Sequence, residues 1–365
     1  MKSNVLNEIL NKINKYMFKV NYKLVHSVSC QDFIKNNSKN LYNFLYNNNN
    51  DSNNNYIIDL NVKYLSKFCN IKSYLYDNNF LSKNIRDTIL LKYNYLNYYK
   101  SHNIELFLFR KDEKENNKLL KNIFNITYII KKLTNNNKVN KIIIFPTEYK
   151  KILPNKFKIL GPDECNSGAT FYNFNRKHNG VIIIWRIEEL YKVLIHELLH
   201  SLFCDIHLID HEIKIYNKFY LNEVYIETLA TILNCLIKTS YHNKNIEYTR
   251  SLILKEKNHS LLQFCKIINY YNIPINNIQE YFINEFEEKT NVFSYYVMKL
   301  AILFDIPSFL NLIGYNLELN KYNLMKFYEL CDLSFRSNKF NNKVQYCLKK
   351  YKDLDNSFRM TINDI

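Results

Sequence analysis

The hydrophobic and polar positions of the chain follow two different periods. Short apolar runs typical of strands occur at 104–109, 141–145, 169–172 and 181–185. The last two runs are separated by the polar turn 173–180, which favours an antiparallel hairpin. Residues 117–133 carry apolar side chains at helical spacing. The middle of the chain is therefore predicted to form a small mixed sheet with a helix between its strands.

After residue 186 the period is helical almost throughout. Helices are predicted at 187–203, at about 216–237 and several times between 251 and 333, with breaks near Pro274 and Pro307. Residues 1–100 also read as helical, interrupted by an Asn-rich loop at 47–55. We therefore divide the chain into a helical N-terminal region 1–100, a core 101–240 and a helical C-terminal region 241–365, and we assign the α+β class.

Composition supports a folded protein and bears on its setting. Hydrophobic residues make up 47% of the 365 residues and charged residues 23%, with four Gly and five Pro. No apolar run approaches the roughly 20 residues needed to span a bilayer, and the start of the chain has no apolar segment of the signal-peptide type. The eight cysteines are spread singly. We expect reduced thiols, no membrane and a cytoplasmic setting, which for a viral protein is the host cytoplasm or the virion.

The formal net charge of +16 raises the possibility of a nucleic-acid partner. The charge is diffuse, however, and only seven of the 50 basic residues are Arg, the residue best suited to bidentate phosphate contacts. We therefore interpret it as a solvated cationic surface and keep a basic nucleic-acid-associated protein as an alternative. The sequence does not indicate an oligomeric state.

One motif carries recognisable chemistry. His196 and His200 stand four residues apart on a predicted helix, so both imidazoles project from one face about one turn apart. Glu197 lies beside them, where a carboxylate can act as general base on a water. Two histidines on an apolar helix face are costly to bury without a partner such as a metal ion. The pattern predicts a Zn²⁺ site with His196 and His200 as ligands.

A zinc site needs a third protein ligand. The arrangement of metzincin enzymes is disfavoured, because Phe203 and Ile206 stand where that class has Gly and His. Downstream there are two sources of ligands, a polar cluster after the helix and Glu223 at the start of a second apolar helix. The polar cluster comprises Asp205, His207, Asp210, His211 and Glu212. Glu223 is the better candidate, with the cluster left open.

The order H-E-L-L-H, a linker of about 20 residues and then N-E-x-x-x-E resembles the gluzincin class of thermolysin-like zinc metallopeptidases. The resemblance covers roughly residues 165–240. It implies a zincin-like fold, Glu223 as third ligand, and Glu227 as the carboxylate that holds a ligating His, with Glu where these enzymes have Asp. The stretch from 168 to 197 is also loosely similar to metallopeptidase-like proteins of large DNA viruses.

The resemblance also implies how a substrate would be handled. Glu197 would be the general base, the strand containing Gly168 and Ala169 would pair with an extended peptide, and Tyr295 or Tyr296 would donate to the oxyanion. We predict a zinc-dependent metallopeptidase, an endopeptidase acting on a protein or peptide. Besides the nucleic-acid reading, the alternatives are an inactive zincin-fold binding protein and an aminopeptidase, which is disfavoured because no G-A-M-E-N-like segment is present.

Overall fold

The structure is a computed structural model of the chain. It describes residues 4–20, 23–29, 74–76, 78–93, 95–101, 103–112, 117–138, 140–172, 180–314, 317–351 and 354–363. The Asn-rich loop predicted at 47–55 and residues 173–179 of the predicted turn lie outside these ranges.

Six strands form one mixed sheet. They are β1 (Lys23–Ser29), β2 (Tyr95–Ser101), β3 (Ile104–Arg110), β4 (Asn140–Thr147), β5 (Gly168–Phe171) and β6 (Val181–Arg186). Their order in the sheet is β1-β2-β3-β4-β6-β5. The pairs β3–β4 and β4–β6 are parallel, and the other pairs are antiparallel. A separate two-stranded hairpin consists of β7 (Lys214–Ile215) and β8 (Phe219–Tyr220).

Helices surround this sheet and make up most of the chain after it. They are α1 (Asn4–Tyr16), α2 (Lys83–Lys92), α3 (Asn117–Leu133), α4 (Pro162–Cys165), α5 (Leu190–Ser201), α6 (Ile206–Asp210), α7 (Leu221–Tyr241), α8 (Ile246–Tyr270), α9 (Ile278–Asn284), α10 (Lys299–Leu303), α11 (Ile306–Ile313), α12 (Leu324–Arg336) and α13 (Asn338–Lys350). Short 3-10 turns lie at Ile275–Asn277 and Lys321–Asn323. The segment Phe293–Met298 is a π-helix that leads directly into α10.

The sheet separates two hydrophobic cores, because successive side chains of a strand point to opposite faces. Ile142 and Ile144 of β4 pack into the larger core, together with α3, α5 and α7. Ile143 and Phe145 of the same strand pack into the smaller core against α2. The motif helix α5 therefore lies in the middle of the protein and is buried along nearly its whole length.

The mixed α and β composition, the mixed sheet and the helical C-terminal region are as predicted, and helix 117–133 has the predicted bounds. The expectation that residues 1–100 are helical is wrong in part, since β1 and β2 extend the sheet. The sequence of β2, YLNYYKS, is rich in Tyr, which favours strands. It carries several polar residues, so an apolar run does not reveal it.

Three other elements differ at their ends for local reasons. The predicted helix 187–203 is shorter because Glu189 and Phe203 both have positive φ, which interrupts a right-handed helix. The predicted helix 216–237 begins later, at Leu221, because Tyr216 and Asn217 turn the β7–β8 hairpin with positive φ. Strand β4 continues through Pro146 because the register shifts at that point, where a missing N–H is tolerated.

Two further expectations concern thiols and membranes. Within the described ranges the six cysteines are free and buried: Cys165, Cys204, Cys235, Cys265, Cys331 and Cys347. No single helix in the same ranges has the length and apolarity to cross a bilayer, although the bent pair Phe293–Leu303 and Ile306–Ile313 meets that test when its two arms are taken together.

Candidate metal centre

Helices α5 and α7 bring three potential ligand atoms together. The Nε2 atoms of His196 and His200 are 3.1 Å apart. Glu223 Oε2, from the first turn of α7, lies 3.5 Å from the former and 3.6 Å from the latter. All three distances are short enough for a single ion to contact the three atoms at once. This group could hold a metal ion.

The other nitrogen of each imidazole meets a carboxylate. His196 Nδ1 is 3.0 Å from Glu227 Oε2, and His200 Nδ1 is 2.7 Å from Asp205 Oδ2. A carboxylate accepts a hydrogen bond, so a neutral imidazole at either position would carry its hydrogen on Nδ1 and its lone pair on Nε2. With both rings neutral, as metal binding requires, the two lone pairs would lie on the side that faces Glu223.

Glu227 is itself held by two buried lysines. Lys299 Nζ lies 3.0 Å from Glu227 Oε1, and Lys192 Nζ donates to Glu227 Oε2. All three side chains are almost fully buried. Burial alone would raise the pKa of Glu227, but the two ammonium groups outweigh it and hold that pKa well below the ordinary value. Glu227 is therefore an ionised acceptor with a fixed orientation.

The centre carries excess negative charge. Four carboxylates surround the two imidazoles against two ammonium groups: Glu197, Asp205, Glu223 and Glu227 against Lys192 and Lys299. Burial alone lowers the pKa of His200, but the charges of Asp205 and Glu223 raise it well above the ordinary value. For His196, hydrogen bonds with Glu223 and Glu227 likewise outweigh burial, and its pKa is raised. The surroundings thus favour positive charge between the rings.

Glu197 is positioned by strand β5. Thr170 Oγ1 donates to Glu197 Oε2 at 2.8 Å and lies 3.0 Å from the Glu197 carbonyl oxygen. Gly168 permits this close approach, because a Cβ at that position would stand 2.9 Å from Glu197 Oε1 and from Val193 Cγ1. Burial raises the pKa of Glu197. A raised carboxyl pKa suits a group that accepts and releases a proton.

The remaining predicted residues separate into two groups. Tyr295 reaches the centre, with its hydroxyl 3.1 Å from Glu223 Oε2 and its ring 5.8 Å from that of His196. Tyr296 points elsewhere and donates to Phe358 O at 2.7 Å. Ala169 packs into the smaller core on the opposite face of the sheet, because adjacent strand residues alternate. Ala169 therefore faces away from the centre, and the Gly168 side of β5 is the one that adjoins Glu197.

One residue of the polar cluster after α5 contacts the centre, and it does so as a partner of an imidazole and not as a third ligand atom beside the two Nε2 atoms. Asp205 meets the Nδ1 side of His200, away from the Nε2 that faces Glu223. His207, the alternative ligand, is 3.3 Å from Glu318. Lys192 and Lys299 were missed altogether. Lys299 is a single charge in an apolar helical run and Lys192 lies between Tyr191 and Val193, and a charge so placed is seldom buried unless it is paired.

A cleft of about 970 Å³ opens beside the centre. Its wall includes Glu223, Tyr172 and Asn291, together with the apolar side chains of Phe219 and Phe286. The Tyr172 hydroxyl lies 2.9 Å from His200 Nδ1. The cleft therefore extends from the edge of the metal centre, and a molecule in it would approach the Glu223 side of the imidazoles.

Comparison with known proteins gives one relative. An uncharacterised protein of Acanthamoeba polyphaga mimivirus is 26% identical over an alignment of 168 residues, and the match covers 42% of this chain and 44% of that protein. The chain thus matches less than half the length of its viral relative. No protein-family model matches the sequence, and no solved structure matches it. The relative is a viral protein, as the resemblance to proteins of large DNA viruses implies. It is uncharacterised and gives no information on peptidase activity.

Proposed function

We propose that this protein is a zinc-dependent metallopeptidase of the gluzincin kind. The observation that carries the proposal is the triangle of His196 Nε2, His200 Nε2 and Glu223 Oε2, with Glu197 beside it and an edge strand alongside. Three protein ligands with an open fourth position are the arrangement of catalytic zinc sites.

The donor set and its spacing support zinc as the metal. Ligand atoms at 2.0–2.2 Å from a tetrahedral zinc ion are separated by about 3.3–3.6 Å. The three edges observed, 3.1, 3.5 and 3.6 Å, lie close to that range. Two imidazoles and one carboxylate are ligands that zinc accepts. A divalent cation would also be favoured by the carboxylates of the centre, which outnumber its lysines.

The chemistry divides between the metal and the protein. A zinc ion bound here would polarise a carbonyl group and lower the pKa of a water toward about 7. Glu197 would take a proton from the attacking water and pass it to the leaving amine. Thr170 holds one carboxylate oxygen of Glu197, so the other remains available for this exchange. Tyr295 would donate its hydroxyl hydrogen to the oxygen that becomes negative.

The substrate would be an extended stretch of polypeptide. Strand β5 lies at the edge of the described sheet and offers backbone groups for pairing. It passes directly over α5, where Gly168 and Thr170 contact Glu197. A peptide paired with β5 would therefore lie across Glu197, and the adjoining cleft could receive its side chains. An edge strand binds the middle of a chain as readily as its end, which favours an endopeptidase.

Metal analysis of four proteins tests the proposal: wild type, His196→Ala, Glu223→Ala and Glu197→Gln. We expect about one zinc per wild-type chain and per Glu197→Gln chain, and substoichiometric zinc in the other two variants. With unfolded casein as substrate, Glu197→Gln should lose at least about 100-fold in cleavage rate. Glu285→Gln, an exposed carboxyl on the surface, is the matched control and should cleave as wild type does.

The outcomes separate the proposal from its alternatives. Zinc bound without cleavage of casein or of a peptide mixture would favour a binding protein with a zincin-like site. A wild type without zinc, whose affinity for DNA falls steeply with salt and ignores chelators, would favour the nucleic-acid reading. Cleavage that persists in Glu197→Gln contradicts the assigned base.

A further inference from the structure

Residues 355–363, here called the strap, cross the protein between helix α8 and the segment Phe293–Leu303. The strap is held mainly by side chains that bind its backbone. The carbonyls of Ser357 and Arg359 accept from α8, at 2.6 Å from Lys266 Nζ and 3.0 Å from His259 Nε2. The carbonyls of Phe358 and Met360 accept hydrogen bonds from the other side, where the segment Phe293–Leu303 lies. Successive carbonyls therefore alternate between two helices.

A row of buried polar side chains on helix α8 contacts the strap. Glu256 lies three residues before His259 and ten before Lys266, so all three side chains share one face of the helix. The Glu256 carboxylate is fully buried and accepts from Thr361 Oγ1 at 2.5 Å and from the backbone N–H of Asn363 at 2.9 Å. A carboxylate is buried at a high cost unless hydrogen bonds compensate it. The strap supplies such bonds to one carboxylate oxygen, Oε1.

The opposite side of the strap leads to the metal centre. The carbonyl of Phe358 accepts from Tyr296 at 2.7 Å, and that of Met360 accepts from Lys299 Nζ at 2.8 Å. The same Nζ lies 3.0 Å from Glu227 Oε1, and Glu227 is 3.0 Å from His196 Nδ1. An unbroken line of contacts thus joins the strap to a candidate metal ligand.

We propose that the strap is a positioning element of the metal centre, acting through Lys299 and Glu227 on His196. The proposal rests on the proposed function only in requiring a metal at His196, His200 and Glu223. A buried ammonium has three hydrogens to place. Without the Met360 carbonyl, Lys299 would keep Glu227 as a partner and lack an acceptor on the strap side. The ammonium would then shift toward water, and the orientation of Glu227 would be less fixed.

The expected consequence is weaker metal binding. Loss of a group that orients a metal-ligating histidine typically lowers metal affinity about 10- to 100-fold. Lys192 also holds Glu227 and would remain in place. We therefore expect loosening of the strap to have a smaller effect, a loss of about 5- to 10-fold in zinc affinity.

Zinc affinity of the full chain, measured by competition with a chelator, tests this coupling. The strap variant is Glu256→Gln with Thr361→Val, two changes that weaken the anchor and leave the residues of the metal centre intact. Thr249→Val is the matched control on α8, because it loses a buried 2.8 Å contact with Thr239 of α7 without touching the strap. We expect zinc binding about 5- to 10-fold weaker in the strap variant and unchanged in the control. Equal affinities for the two variants would overturn the proposal.

Hydrogen exchange in the wild type gives a second measurement that needs no variant. Coupling between two sites is reciprocal, so zinc should protect the strap as much as the strap strengthens zinc binding. We expect zinc to slow exchange of the amides of Thr361 and Asn363 about 5-fold or more relative to amides of α13. No added protection in the strap would contradict the coupling. A wild type that binds no zinc would instead remove the metal site and the proposed function.

Discussion

Gly168 of strand β5 lies directly against Glu197 of helix α5, so that a Cβ on residue 168 would stand 2.9 Å from Glu197 Oε1. A real Cβ atom does not come that close to a neighbouring atom. The same Cβ would also stand 2.9 Å from Val193 Cγ1, on the same helix as Glu197. The Glu197 carboxylate can therefore occupy its position only because residue 168 has no side chain.

The first prediction concerns Gly168→Ala. The added methyl group should push Glu197 from its place, so cleavage should fall at least about 10-fold while zinc remains bound, and stability should fall by about 1–3 kcal/mol. Gly161→Ala is the control, since a Cβ there meets a Lys289 carbon at 3.3 Å, away from Glu197. Casein cleavage and zinc content measure the two effects. Full cleavage by Gly168→Ala would show that Glu197 is not constrained in this way.

A second prediction concerns Asp205, which holds His200 Nδ1 at 2.7 Å. In Asp205→Asn the neutral amide accepts the hydrogen bond less strongly and can present its NH₂ group instead. Zinc affinity should fall about 10- to 100-fold. The control is Asp332→Asn, which weakens a similar contact, the 2.9 Å hydrogen bond that Asp332 accepts from the Tyr216 hydroxyl, and changes no partner of His196 or His200. Chelator competition compares the two, and equal affinities would contradict the role of Asp205.

The third prediction compares Tyr295 and Tyr296, adjacent residues whose hydroxyl groups have different partners. Tyr295 lies at Glu223, whereas Tyr296 binds a strap carbonyl. With zinc saturating, Tyr295→Phe should lower kcat by about 100-fold or more with little change in KM, as expected on removal of a donor to an oxyanion. Tyr296→Phe should keep nearly full kcat. Equal kcat for the two variants would remove Tyr295 from the mechanism.

These cases show what the sequence could and could not reveal. Helical periodicity places His196 and His200 on one face of a helix and Glu223 and Glu227 one turn apart on another. The gluzincin resemblance, and not periodicity, implies that Glu223 joins the two histidines and that Glu227 holds one of them, without indicating which. The sequence offers Asp205 as one of several alternative metal ligands and does not identify it as the partner of His200. Its position depends on the turn after α5, where Phe203 has positive φ, and a pattern of residue types does not encode that angle.

Helical periodicity does not identify partners that are distant in the sequence. Lys299 lies 72 residues from Glu227, and Met360 a further 61 from Lys299. A single Lys in an apolar run signals that some partner exists without saying which one. Tyr295 and Tyr296 are both buried, and the π-helix that contains them sets which one faces the centre. The extra residue of a π-helical turn rotates the following side chains, so an α-helical period assigns their faces poorly.

The last prediction concerns pH and the partly buried carboxyl of Glu288, which accepts from the backbone N–H of Phe293 at 2.7 Å. Burial raises the pKa of Glu288 to about 8 from an ordinary 4.5. Between these values the folded protein keeps a proton that the unfolded chain releases, so the free energy of unfolding falls as pH rises, by about 1.4 kcal/mol per pH unit at most.

Urea unfolding of the zinc-free protein at pH 5, 6, 7 and 8 measures this dependence. Glu288→Gln has no proton to lose and keeps an oxygen for the Phe293 N–H, so it should gain stability relative to wild type as pH rises from 5 to 8. Glu287→Gln, an exposed neighbour, is the control and should follow wild type. If wild type and Glu288→Gln keep a constant difference over this range, Glu288 is ionised in the folded protein at pH 5 and its burial does not control stability. If instead they diverge, the cleft beside the metal centre contains a carboxyl group that is neutral below about pH 8, and its lining carries one negative charge fewer than the sequence implies.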